Sequence, residues 1–581
     1  MDNHRTGNTM SRRNFITLAG GMAGIATLAA MGVPSGWAEN KPKVNVKNII
    51  SNECWTDVLV IGGGMAGIFA AVKAHDAGTA VRLISKGRLG SSGQTPFAKG
   101  IFAYDAGTAG TTLDEFVDSV SRSALGTNNR TYTRQMAEHS LARVNELRQW
   151  GFFDSPLYND CFSNQIKKRK IPLHERVTIT HLIKEDGRIA GAAGFTLDTG
   201  EIQIFMAKSV ILCTGAGGFK PNGFPICDLT HDGTVMAYEI GARVTGKEWN
   251  DGHLGKAENP AACFDGWGNM FERKPNVTGV GIRHDLGMDL NYRAYMDGGP
   301  LTGGPGGPPE RGGVKQTDGG PYRPAEFAKN RRPEGGPPDG GPGGRKHDGP
   351  PPGMGGISVG GSSAGMAIHK SEGLVPINDK CESDIPGLYA AGDALGSYMA
   401  GGIYTQIGSS LAGSAVQGAV AAEAAAKYCE NVSAQAVPRE RLTNIKQEIL
   451  APLQRDAGYS PAWLTQTLQG IMIPNFILYI KKEQLLRAAL AYIEELRDHH
   501  MGMLRAADIH ELRLAHETKN MIISAEMKLR ASLMRKESRC SHYRLDYPDL
   551  DDKNWRAWIN IYKGDDGTMQ LEKQPFGSWP V

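Results

Sequence analysis

Val58-Leu-Val-Ile-Gly-Gly-Gly-Met-Ala-Gly67 is an apolar run ending in spaced glycines, and its reading decides the fold. Gly62, Gly64 and Gly67 make the G-x-G-x-x-G of a dinucleotide-binding strand–turn–helix. Gly62 permits the tight turn, Gly64 lets the backbone approach a pyrophosphate, and Gly67 lets the helix pack close to the strand. Met65 and Ala66 open that helix, whose N-terminus meets the phosphate charge. Glycine-rich turns are common, so context decides between this reading and a merely structural turn. Here an alanine-rich helical stretch, Ile68 to Ala77, follows, and then a second strand, Ala80-Val-Arg-Leu-Ile-Ser85.

The 581 residues leave room for two to four domains, and a net charge of +3 is too small to imply a nucleic-acid partner. The eight cysteines form no C-x-x-C pair, which argues against a c-type haem, a ferredoxin-like cluster or a zinc ribbon on this chain; no metal ligands are assigned. At the N-terminus, Ser11-Arg-Arg-Asn-Phe15 is a twin-arginine motif, followed by an apolar Gly/Ala-rich stretch, Ile16 to Val33. Small residues at Gly36-Trp-Ala38 offer a cleavage site. Residues 1–38 are read as a signal peptide for export of a folded protein to the periplasm. A membrane helix is the competing reading. No later segment is apolar and long enough to span a bilayer, so a mature chain without transmembrane segments is expected.

Residues from Val177 to Cys213 alternate apolar and polar positions, with turn signals at Glu185-Asp-Gly187 and Asp198-Thr-Gly200. That pattern reads as a β-meander followed by a buried strand at Val210–Cys213. From Gly298 to Gly356 more than half the residues are Gly or Pro, read as a solvated insertion; a ligand-gripping loop is the alternative. Order returns at Ile385-Pro-Gly-Leu-Tyr-Ala-Ala-Gly-Asp393, and an alanine-rich helix spans Ser409 to Tyr428. From about Arg441 to Arg544 the leucine spacing and i,i+4 charge pairs read as a plain helical bundle.

With these segments in view, the chain resembles the FAD-dependent flavoprotein subunits of succinate dehydrogenase and fumarate reductase. Its last hundred residues resemble the alpha subunit of adenylylsulfate reductase. The matching motifs are Leu83-Ile-Ser-Lys86, Val210-Ile-Leu-Cys-Thr-Gly-Ala-Gly-Gly218, His231-Asp-Gly233 (the family's GDG turn), Gly387 to Asp393, Ser410-Leu411 and Glu537-Ser-Arg-Cys-Ser-His-Tyr-Arg544, where Cys540 replaces a glycine. The resemblance implies an α/β protein: a Rossmann-like FAD-binding domain in two parts (39–240 and 357–430), an inserted α+β capping domain with the Gly/Pro-rich tract (241–356), and a C-terminal helical domain (431–581). It further implies that FAD is contacted by Gly62, Gly64, Met65, Ala66, Gly67, Ser85, Lys86, Ser92, Gly93, Gln94, Thr214, Gly215, Asp232, Asp393, Ser410 and Leu411.

Departures from the family pattern bear on the chemistry. The histidine that bonds covalently to flavin in succinate and fumarate enzymes is replaced by Gly93, flanked by Ser92 and Gln94, so the FAD is expected to be non-covalent. His253 falls at the family's substrate histidine, although a solvent-facing loop histidine fits the sequence as well. Pro351 replaces a second substrate histidine, Gln406 replaces an arginine, and Arg293 is the nearest candidate for the capping-domain arginine, with Tyr295 beside it. His253, Arg293, Tyr404 and Gln406 are therefore the candidate catalytic residues. Each lost charge-assisted hydrogen bond to a carboxylate costs about 1.5–3 kcal/mol, and a desolvated dicarboxylate without its counter-charges is disfavoured. The expected function is an exported oxidoreductase passing hydride between flavin N5 and a small organic molecule other than fumarate or succinate. Electrons would pass through a separate protein, an iron–sulfur subunit or a cytochrome. Sulfur chemistry like that of adenylylsulfate reductase and a non-catalytic flavin electron carrier are the alternatives.

Overall fold

The computed structural model describes residues 49–219, 229–249, 255–256, 272–282, 358–359, 372–402, 405–406, 408–473, 475–478 and 480–578. Strand β1 (Ser51–Ile61) ends in the apolar run Val58–Ile61, which is buried because both faces of a central parallel strand are covered. Helix α1 (Met65–Asp76) follows, buried along nearly its whole length, and β2 (Val81–Ser85) returns parallel to β1 with Val58 opposite Val81 and Ile61 opposite Ile84. Two further helices, α2 (Leu113–Ser123) and α3 (Arg130–Gln149), supply an outer layer. The first opens on a capping box in which Thr112 and Glu115 satisfy each other's backbone N–H groups.

Strands β3 (Leu173–Glu175), β4 (Val177–Glu185), β5 (Arg188–Thr196) and β6 (Ile202–Leu212) complete most of the main sheet, in the order β3-β2-β1-β6-β5-β4. Pairings β3–β2–β1–β6 are parallel, whereas β6–β5–β4 form the expected antiparallel meander. Val210–Cys213 is not a separate strand: Val210–Leu212 is the end of β6, and Cys213 turns away from it. No turn residue interrupts the run from Ile202, so one strand serves both the meander and the parallel core.

Helix α4 (Asp232–Glu239) leads to the short β7 (Val244–Thr245); β8 (Gly373–Leu374) pairs with it, and β9 (Leu388–Ala390) joins β6 in parallel. Helix α5 (Ser409–Glu430) packs its alanine-rich face on α1 and the sheet. Helix α6 (Arg439–Gln454) packs Leu442, Ile445, Ile449 and Leu450 with the meander strands β4–β6, whereas helices α7 (Pro461–Met472), α8 (Glu483–Glu495) and α9 (Ile509–Met534) make a bundle with a core of its own. Beyond it, β10 (Ala557–Lys563) and β11 (Met569–Pro575) form a hairpin. The first of these pairs antiparallel to β7, so a four-stranded sheet β8-β7-β10-β11 unites three distant stretches of sequence. Among the described residues no helix is long and apolar enough to cross a membrane.

Candidate functional site

The C-terminal ends of β1, β2, β6 and β9 converge on a cleft, where open parallel sheets bind ligands. Gly62 adopts φ +121°, and a Cβ there would lie 2.0 Å from the Cys213 carbonyl oxygen; a Cβ on Gly67 would lie 1.7 Å from the Gly62 oxygen. Neither position admits a side chain. The result is bare backbone leading into α1, whose N-cap, Gly64, has no side chain to satisfy the first-turn N–H groups. The Met65 N–H donates to Thr95 Oγ1 at 3.1 Å.

Past β2, Ser85 and Lys86 line one end of the cleft, facing Asp232 from the start of α4. Lys86 Nζ donates to Asp232 Oδ2 (2.8 Å) and Thr230 Oγ1 (3.0 Å), and pairs with Glu517 at 2.5 Å. Asn520 Nδ2 donates to the other Asp232 oxygen at 2.8 Å. Burial alone would raise the Asp232 carboxyl, but Lys86 and the hydrogen bonds from Asn520 and Thr230 outweigh it and hold the group below its ordinary value. Elsewhere on the wall Gln94 Nε2 donates to Asp393 Oδ2 (3.2 Å), with Ser92 and Gly93 also in the lining. Thr214 Oγ1 is buried beside Gly215 with no hydrogen-bond partner among the described residues. Burial pushes the Cys213 thiol far up, so it offers no nucleophile.

A cleft with a helix N-terminus whose N-cap bears no side chain, a hydroxyl without a partner among the described residues and a held carboxylate fits a dinucleotide. Gly62, Gly64, Met65, Ala66, Ser85, Lys86, Ser92, Gly93, Gln94, Thr214, Gly215, Asp232 and Asp393 all line it. Gly67 stands behind it, and Ser410 and Leu411 lie in the first turn of α5, outside the described lining. His253, Arg293, Tyr404 and the Gly/Pro-rich tract lie outside the described residues. Gln406 is 1% exposed; its Nε2 donates to the Gly279 carbonyl at 3.4 Å, and its Oε1 is buried without a partner among the described residues.

Several lining residues escape a reading of the sequence. Val177, Thr178 and Ile179 are legible only as the start of a strand, and Thr95, Met236 and Ser414 carry no motif. Glu517 and Asn520 sit in a helix read only as part of a plain bundle. The C-terminal motif folds as a buried clamp: Arg535 bonds Glu248 Oε1 through Nε (3.1 Å) and Nη2 (2.9 Å), and Glu537 is shared by Arg535 and Arg539. Cys540 takes the left-handed φ of +49° that the family's glycine would adopt without strain. Ser541 Oγ donates to the Gly402 carbonyl at 2.9 Å, tying the clamp to the loop before Gln406.

Fold and cleft together define a flavoprotein oxidoreductase. A model described as an FAD binding domain matches residues 57–160 and 158–252, and one described as the fumarate reductase flavoprotein C-terminus matches 465–579. The chain belongs to the FAD-dependent family of succinate dehydrogenase and fumarate reductase flavoprotein subunits. It is 26% identical to an uncharacterized FAD-dependent oxidoreductase of Methanocaldococcus jannaschii, over 88% of this chain and 96% of that protein. It is 24% identical to a subunit of the fumarate reductase (CoM/CoB) of Methanothermobacter marburgensis, over 86% and 95%. Its fold matches E. coli quinol fumarate reductase (TM-score 0.68, 19% identity, 90% of this chain and 97% of that one). The adenylylsulfate reductase of Archaeoglobus fulgidus matches comparably (TM-score 0.66, 19% identity, 92% and 98%).

Proposed function

We propose that this chain is an exported oxidoreductase that exchanges hydride with a small organic substrate other than fumarate or succinate, and electrons with a separate redox protein. FAD, when bound, supplies the hydride-transferring N5. The chain's residues would hold it: the Gly62–Gly67 turn by its bare backbone and helix N-terminus, with Lys86, Asp232, Gln94 and Asp393 as the polar side chains of the cleft wall. Gly93 offers no side chain for a covalent bond, which supports non-covalent attachment. His253 is assigned the proton exchanged with substrate, and Arg293, Tyr404 and Gln406 are the further candidate catalytic residues.

The observation that carries the substrate reading is Gln406. A buried neutral amide stands where the family places an arginine, and it spends its N–H on a backbone carbonyl. A carboxylate brought there would lose its hydration without gaining a cation. The twin-arginine segment supports export. Relatives that are themselves called subunits support a separate electron-transfer partner, an iron–sulfur subunit or a cytochrome.

Anaerobic protein reduced with dithionite and mixed with small-molecule acceptors tests the reading. Loss of one charge-assisted hydrogen bond predicts reoxidation by fumarate about 10–100-fold slower than by an uncharged activated alkene. Fumarate reoxidising the flavin as fast as any acceptor overturns the substrate assignment. Reoxidation by protein partners only, with no small acceptor reacting, makes the chain an electron carrier instead.

A further inference from the structure

Helix α9 carries Glu517, Asn520, Ser524 and Lys528, whose spacing puts them on one stripe. All four side chains are buried, and each holds a different piece of the molecule. Glu517 pairs with Lys86, and Asn520 holds Asp232, both on the wall of the dinucleotide cleft. Ser524 Oγ bonds His231 Nδ1 at 2.9 Å and accepts from Lys247 Nζ at 3.1 Å. Lys528 Nζ donates to the backbone carbonyls of Lys247 (2.7 Å) and Trp249 (2.9 Å). Glu372 Oε1 closes the set, bonding His231 Nδ1 at 2.8 Å and Lys247 Nζ at 2.6 Å. Trp249 then packs on Gly402, where a Cβ would lie 2.9 Å from the indole.

The stripe therefore runs from the cleft to residues 244–249, none of which line it. Two features make the network act as a unit. Its members are buried, so a broken bond leaves a polar group without water, and partial arrangements are costly. His231, which stands where the family's GDG turn has glycine, holds a left-handed φ of +60°, strained for a side-chain-bearing residue by roughly 1–2 kcal/mol. Its bonds to Glu372 and Ser524 hold that conformation, and with it the position of Asp232 next in the chain.

We propose that α9 is a positioning rail: through Glu517, Asn520, Ser524 and Lys528 it couples occupation of the FAD wall to the rigidity of residues 244–249. Glu517, Asn520, Ser524 and Lys528 are positioning residues, acting through Lys86, Asp232, His231 and the 247–249 backbone. That the rail serves the substrate side rests on the assignment of His253 above; the coupling itself does not.

Amide hydrogen exchange of the full chain, with and without added FAD, tests the rail without turnover. FAD is expected to slow exchange at 244–249 on the order of tenfold, alongside the protection of 62–67. Ser524→Ala, a small change, should reduce the slowing at 244–249 to under about twofold while 62–67 stays protected and FAD affinity stays within about threefold. Asn520→Ala, which frees the Asp232 carboxylate on the cleft wall, should weaken FAD binding by about tenfold, with the far-ultraviolet spectrum of the apo chain unchanged. The rail is overturned if FAD leaves 244–249 unprotected in the natural sequence, or if that protection survives Ser524→Ala. If His253→Gln keeps full turnover while the coupling persists, the substrate assignment falls and the rail stands.

Discussion

Lys86→Met removes the ammonium that faces two carboxylates on the wall of the cleft. Lys86, Asp232 and Glu517 keep only 18%, 15% and 7% of their side-chain surface exposed, so water replaces the lost partner poorly, and among the described residues only Glu517 keeps a second cation, Arg513. Breaking a fully buried pair costs about 3–5 kcal/mol, and the residual exposure puts this one near the lower bound, about 3 kcal/mol at pH 7.5. The sign of the pH dependence is the sharper test. In the natural sequence Asp232 titrates below its unfolded value, so its contribution is present at neutral pH and is lost as pH falls through the folded pKa. Without Lys86, the Asp232 carboxylate lies desolvated near a second acid and its folded pKa rises above the unfolded one. The folded variant then binds more protons, and its deficit should shrink to roughly half between pH 7.5 and pH 5. Urea unfolding of the FAD-loaded chain at both pH values measures this, and Lys86→Met with Glu517→Gln should recover part of the loss at pH 7.5. A deficit that is constant with pH, or that the second substitution does not relieve, refutes the electrostatic account of this wall.

Gly67→Val places a side chain where a Cβ already lies 1.7 Å from the Gly62 oxygen, so the variant should purify without the 450 nm absorbance of bound flavin. Retention of stoichiometric FAD would contradict the close helix–strand approach. Acid precipitation of the natural protein should release all its flavin to the supernatant, since Gly93 has no side chain to retain it; yellow precipitate would show a covalent bond elsewhere. Burial, with His181 and Lys519 nearby, lowers His516 to about 4 from an ordinary 6.5. Between these values the unfolded chain binds a proton that the folded chain does not, so stability should fall by up to about 3 kcal/mol as pH drops from 6.5 to 4. His516→Gln should flatten that limb in a melting-temperature series, and an unchanged slope would assign acid lability to other groups.

The nucleotide half was legible because its signals are local. The Gly62–Gly67 turn, the strand ends at Ser85 and Thr214 and the Asp393 strand each announce themselves within ten residues, and all meet in the cleft. What sequence missed depends on tertiary burial. The polar positions of α9 have the spacing of a solvated face, yet Glu517, Asn520, Ser524 and Lys528 are enclosed because partners from three other segments surround them. Nothing local to Val177–Ile179 separates a strand that borders a ligand from one that does not. Strand β10 escaped for a related reason: its partner β7 lies more than three hundred residues earlier.

The cleft's wall closes only when residues near 60, 86, 178, 214, 232, 393 and 517 are all in place. Their separation along the chain orders events during synthesis. An emerging polypeptide can present the glycine turn early, but the anchor beneath Lys86 and Asp232 arrives some 430 residues later, as Glu517 minus Lys86 shows. Cofactor capture is consequently a late step. A nascent chain interrupted before α9 has the motif of a flavoprotein without the means to retain its flavin.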